Sequence, residues 1–133
     1  MTVDIRQLQD TFAVLTPGLA VQPVPVTPGL YQDLDTDFAG FTGHVLIAVH
    51  EFSGDWPTWE VHPAGDEIVM LLSGCAEMIL RGRDGDEGVT LTESGSYIIV
   101  PRGTWHTARV TEPTRMLFIT PGEGTDNREE PAP

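Results

Sequence analysis

Residues 54–74 read GDWPTWEVHPAGDEIVMLLSG. Glu60 and His62 stand two apart in a segment of strand-forming residues. Alternation sends both side chains to one side of a strand, with Trp59 and Val61 facing the other. Pro63-Ala64-Gly65-Asp66 is turn chemistry. Glu67 then opens a second apolar run. An antiparallel hairpin over this stretch brings Glu67 back beside His62.

The texture continues on both sides. His44–Phe52, Thr58–His62, Glu67–Leu72, Cys75–Arg81, Gly88–Leu91, Ser96–Val100, Thr104–Val110 and Thr114–Thr120 are short apolar runs. Turn residues bound each of them, among them Gly54-Asp55, Ser73-Gly74, Glu93-Ser94-Gly95 and Pro101-Arg102-Gly103. Short strands at close spacing predict an antiparallel all-β sandwich or barrel, and no helix alternates with them as a parallel sheet needs. Before residue 41 the reading differs. Ile5, Leu8, Phe12 and Leu15 recur at three- and four-residue steps, with Asp4 as a cap, which predicts an N-terminal helix stopped at Thr16-Pro17-Gly18. An arm with one strand near Val21–Val26 and an acidic loop follow. The divisions are residues 1–40 for helix and arm, 41–120 for the barrel, and 121–133 for an acidic tail expected to fray.

His106 lies on a third strand, introduced by Pro101-Arg102-Gly103. Two imidazoles and two carboxylates converging in an apolar barrel are costly to bury unpaired, and a divalent cation removes that cost. These residues carry a resemblance. Gly54, Glu60-x-His62, Glu67 and Gly74 match the spacing of the first cupin motif, Gly, five residues, His-x-His, three or four residues, Glu, six residues, Gly. Gly95, Pro101-x-Gly103 and His106 match the second, with Val110 where that motif ends in Asn. The chain therefore resembles a small single-domain cupin. The resemblance implies an antiparallel double-stranded β-helix, or jelly-roll barrel, and a metal held by three His and one Glu.

Glu60 stands where the first His is expected. The candidate ligands are then Glu60, His62, Glu67 and His106: two nitrogens and two carboxylate oxygens. That set is harder than three His and one Glu and moves preference toward Mn or Fe, while the affinity order keeps Ni or Zn in play. Glu60 alternatively marks a member that has lost its metal. The resemblance implies dioxygenase- or isomerase-like chemistry on a small molecule, or non-enzymatic ligand binding, or a metal-free scaffold. No catalytic residue is assigned.

Other residues have two readings each. His44 and His50 share a strand face; His50 lines the pocket or is structural. Tyr97 is a pocket acid or a core residue. Arg102 holds a substrate carboxylate or pairs with surface acid. Trp56, Trp59 and Trp105 cluster near the motifs; Trp59 and Trp105 flank ligands and should point away from them, and all three read as sheet-packing or dimer-contact residues. Cys75 reads as a packed thiol, and Asp84-Gly85-Asp86-Glu87 as a solvated turn rather than a calcium loop.

Charge narrows the partners. Seven basic against 20 acidic residues give −13, which repels nucleic acid and anionic membranes. There is no lysine, which excludes Schiff-base and P-loop chemistry. No apolar run reaches membrane-spanning length, no secretory signal pattern opens the sequence, and one cysteine makes no internal disulfide. The expectation is a soluble cytoplasmic protein. Strands such as Val45–Val49 and Ile68–Leu72 are apolar on both faces, so a homodimer covering the second face is expected.

Overall fold

The structure, a computed structural model, describes residues 2–131. Eleven strands and one short helix run in the order β1 (Thr11–Leu15), β2 (Val21–Pro25), α1 (Leu30–Asp37), β3 (Val45–Phe52), β4 (Trp59–Val61), β5 (Glu67–Ser73), β6 (Ala76–Gly82), β7 (Gly85–Leu91), β8 (Tyr97–Val100), β9 (His106–Arg109), β10 (Thr114–Thr120) and β11 (Asp126–Arg128). All pairings are antiparallel. They form a six-stranded sheet, β2-β1-β3-β10-β5-β8, and a five-stranded sheet, β11-β4-β9-β6-β7. No ladder among the described residues joins the two sheets, so the expected barrel does not close by strand pairing. The expected hairpin at residues 58–72 is also absent: β4 and β5 lie in different sheets.

The main core sits between the sheets. Val69, Leu71, Met116 and Phe118 from the large sheet meet Ala76, Met78 and Ala108 from the small one. Val110 is buried with them, so the residue that replaces the motif's Asn packs the core. Gly74 makes the tight β5–β6 turn. Its φ is +90°, and a Cβ there would come within 2.5 Å of the Pro113 carbonyl oxygen, so only glycine fits.

The N-terminal helix is a misreading. Residues Thr11–Leu15 form a strand paired to β2 on one side and β3 on the other. Phe12 and Val14 are buried, and their neighbours are not, a period of two that the helical spacing of Phe12 and Leu15 masked. The helix instead occupies the expected loop. Its Leu30 and Leu34, four apart on one face, pack with Phe12, Val14, Phe41 and Leu46 in a second core. The tail is also partly ordered: β11 pairs with β4, and Arg81 bonds Glu130 and the Pro131 carbonyl. Met1, Ala132 and Pro133 of the expected ends lie outside the described residues.

Outward positions of the large sheet are apolar as well. Ile47, Ile119, Ile68 and Ile99 form one cross-strand ladder, and Val49, Leu117, Met70 and Tyr97 the next. Among the described residues no helix is long and apolar enough to cross a membrane.

Candidate metal centre

Three separate elements deliver the motif residues to one point. Glu60 on β4 is in register with His106 on β9. His62 follows β4, and Glu67 starts β5 in the opposite sheet. The Gly103 N–H donates to the His62 carbonyl at 3.1 Å, tying the two motifs together. His106 is 0% exposed, Glu67 2%, His62 5% and Glu60 30%.

The imidazoles are oriented from behind. His106 Nδ1 lies 3.1 Å from the Thr104 carbonyl oxygen. A carbonyl only accepts, so Nδ1 carries the proton. Thr125 donates its hydroxyl to the Gly122 carbonyl at 3.0 Å. It is then an acceptor for His62 Nδ1, 2.8 Å away. Both Nε2 atoms are thereby turned inward with free lone pairs in the neutral rings. His62 Nε2 lies 3.2 Å from Glu67 Oε2, and His106 Nε2 lies 3.1 Å from Glu67 Oε1. Glu60 Oε2 stands 3.9 Å from each Nε2. The donor atoms of Glu60, His62 and His106 lie within 4.8 Å of one another. Thr120 donates to Glu67 Oε2 at 2.6 Å.

His62 Nε2, His106 Nε2 and Glu67 Oε1 are buried with no hydrogen-bond partner among the described residues. Buried orphans of this kind call for a cation or a proton between them. Burial alone would raise the Glu67 carboxyl, but His106 and His62 outweigh it and hold it at about 2. Burial raises Glu60, with His62 opposing. Burial would lower His106, yet the Glu67 carboxylate carries it above its ordinary value.

The cluster opens on a cavity of about 610 Å³. Glu60, His62 and Glu67 line it; His106 sits behind them. Phe52, Trp56 and Phe118 form an aromatic wall, with ring centroids 5.3–6.1 Å apart. His50 lines the cavity too, its Nε2 3.0 Å from the Tyr31 hydroxyl. Burial lowers His50 and pushes the Tyr31 hydroxyl up to about 12.

Two sequence candidates are placed elsewhere. Tyr97 is 55% exposed on the outer face of β8. Arg102 is exposed in its turn, where its backbone N–H donates to Asp66; neither lines the cavity. His44 bonds the Thr42 carbonyl instead. Trp59 and Trp105 lie under the guanidinium groups of Arg81 and Arg128, at 4.2 and 5.4 Å. Sequence reasoning missed Tyr31, Thr120 and Thr125.

The family model described as Cupin domain matches residues 44–120. Among solved structures the chain is similar to a cupin-2 domain containing protein from Shewanella frigidimarina. Identity is 22% and TM-score 0.50, over 58% of this chain and 70% of that one. It is similar to hydroquinone 1,2-dioxygenase from a Sphingomonas species, at 19% identity and TM-score 0.50, over 57% of this chain and 58% of that one. It is similar to a mutant oxalate decarboxylase from Bacillus subtilis, at 20% identity and TM-score 0.53, over 63% of this chain and 23% of that one. At such identities the likeness establishes the fold alone. No curated protein sequence matches the chain.

Proposed function

From the premise that this chain belongs to the cupin domain family, whose model covers more than half of it, we propose a metal-binding domain that admits a small molecule beside Glu60, His62, Glu67 and His106. One observation carries this reading: His62 Nε2, His106 Nε2 and Glu67 Oε1 are buried together without hydrogen-bond partners. A divalent ion satisfies all three, and the Glu60 and Glu67 carboxylates match its charge. The mixed oxygen and nitrogen set suits Mn or Fe by hardness and Ni or Zn by affinity order. A bound ion supplies Lewis acidity and a template for substrate oxygens.

The chain's own residues do the rest. Thr125 and the Thr104 carbonyl hold the imidazoles by Nδ1, and Thr120 holds Glu67. Phe52, Trp56 and Phe118 keep that side of the cavity dry. The His50–Tyr31 pair offers a proton donor and acceptor at its rim. Turnover at such a site falls in the dioxygenase- or isomerase-like classes; without turnover it is a small-molecule binder.

The short Glu67 contacts support a second reading. Protonated imidazoles, rather than a cation, then neutralise Glu67, and the domain is a metal-free scaffold. Elemental analysis of tag-free protein purified without chelator, beside His106→Ala, separates the two. Near-stoichiometric metal lost in the variant supports the first. Absence of metal from both, persisting after reconstitution with Mn, Fe, Ni and Zn, sinks it.

The reading includes a homodimer. The two outward apolar ladders of the large sheet lie on a chain of net charge −13, and a second copy offers the same uncharged face. A cytoplasmic location accompanies it, since the one free cysteine, Cys75, suits a reducing compartment.

A further inference from the structure

The cavity has an uneven charge inventory. Asp35, Asp55, Glu60 and Glu67 contribute carboxylates to its lining, and none of its lining residues is an arginine. The chain has no lysine at all. Its seven arginines are placed elsewhere: Arg81 and Arg128 over tryptophans, Arg109 near Glu77, Arg115 near Glu51 and Arg6 near Asp4, and Arg83 and Arg102 exposed in turns. A divalent ion matched by Glu60 and Glu67 still leaves Asp35 and Asp55 without a counter-charge from a basic side chain. An anionic ligand would surrender its hydration shell to enter a negative field with no guanidinium to receive it.

What the cavity does offer is ring surface and neutral hydrogen bonding. Phe52, Trp56 and Phe118 present the aromatic wall. Trp56 contributes its ring, since its Nε1 is buried away from accessible surface. The Tyr31 hydroxyl and His50 supply the neutral polar point at the rim. We infer that the cavity selects an uncharged, ring-sized molecule carrying a hydroxyl or carbonyl oxygen, and discriminates against carboxylates. This deepens the proposed function, since it rests on the same cavity being the binding site.

Benzyl alcohol and benzoate share size and ring and differ in charge, so they test the charge rule directly. Calorimetric titration of the full chain at neutral pH, as purified and after chelation, should give tighter binding of the alcohol in the chelated protein, by about ten-fold. Asp35 is exposed on α1, so Asp35→Arg leaves the core intact. It should raise benzoate affinity relative to the alcohol by about ten-fold. Tyr31→Phe keeps the ring but removes the hydroxyl and should weaken the alcohol several-fold. Benzoate binding as tightly as the alcohol in chelated wild type, binding of neither, or a benzoate affinity indifferent to Asp35→Arg would overturn the inference. Metal content is read separately. A metal-free protein that still prefers the alcohol sinks only the metal reading, and a metal-loaded protein whose chelated form prefers benzoate sinks only this one.

Discussion

His62 Nδ1 lies 2.8 Å from the hydroxyl of Thr125, a residue 63 positions further along the chain. Because that hydroxyl already donates to the Gly122 carbonyl, it fixes which imidazole nitrogen bears the proton and aims Nε2 at Glu67. Thr125 thus braces the candidate centre from behind. Thr125→Val keeps the shape and removes the acceptor. It should lower metal affinity by about 10- to 100-fold, as loss of a ligand-orienting hydrogen bond does, with little change in melting of the chelated protein. Competition against a chromophoric chelator reads this, and an unchanged affinity refutes the orienting role.

Glu60 and His106 are cross-strand partners, and the Glu60 carboxylate stands equally far from both Nε2 atoms. Its place suits a ligand better than a bystander. Glu60→His should preserve binding and raise the affinity for Zn relative to Mn, because an imidazole replaces a harder oxygen. Glu60→Ala should weaken every metal. Parallel titrations with the two ions decide it; an unaltered Zn-to-Mn ratio in Glu60→His removes Glu60 from the ligand set.

Acid should destabilise the chelated protein through Glu67. Its carboxyl is held at about 2 against an ordinary 4.5, so the folded state binds the proton less readily than the unfolded one. The resulting stability, on the order of 3 kcal/mol, is present above about pH 4.5 and is lost as pH falls from there toward 2. Urea midpoints across that range should drop for the wild type. They should drop less for Glu67→Gln, which has no proton to gain. Parallel acid profiles for the two proteins would count against the coupling.

The candidate cluster was legible because its residues obey local rules. Alternation put Glu60 and His62 on one face, and glycine at Gly74 was demanded by a positive φ against the Pro113 backbone. The error about the hairpin left this intact, since Glu67 reaches His62 from the opposing sheet as readily as from a paired strand. The N-terminus was misread because Phe12 satisfies both a helical and an alternating pattern, and only the two neighbouring strands decide between them. Helix α1 was missed because it buries just Leu30 and Leu34 in an acidic octet. Thr125 was invisible because a polar residue in a Pro- and Gly-rich tail carries no periodicity. Tyr97 was a matter of parity: it shares β8 with Ile98, which packs on the core, so its own ring faces out.

That outward ring belongs to the proposed dimer face. Tyr97 and Ile99 are 55% and 56% exposed and end the two apolar ladders. Tyr97→Lys with Ile99→Lys places like charges opposite one another across a two-fold interface, which is strongly unfavourable. Light scattering should find the wild type as a dimer and the double variant as a monomer. Both positions are too exposed for the change to cost much folding stability. A wild type that is already monomeric removes the face from consideration as a dimer contact.

The segment after α1 carries a strain that a single methyl group creates. Ala39, Gly40 and Phe41 all have left-handed backbones, at φ 53°, 69° and 61°. Phe41 is buried and lines the cavity, so its conformation is supported by packing. Ala39 is exposed, and nothing rewards its Cβ. A non-glycine residue there costs about 1–2 kcal/mol, more than the extra backbone entropy glycine loses on folding. Ala39→Gly should therefore raise the melting temperature by about 3 °C, contrary to the usual effect of adding glycine. Gly40→Ala should lower it by a similar amount. There is room for the methyl, with Thr42 Oγ1 at 3.9 Å, so that loss reads the backbone alone. Opposite signs from two adjacent substitutions in one melting experiment establish the left-handed run; a fall in both assigns Ala39 a contact that its exposure denies.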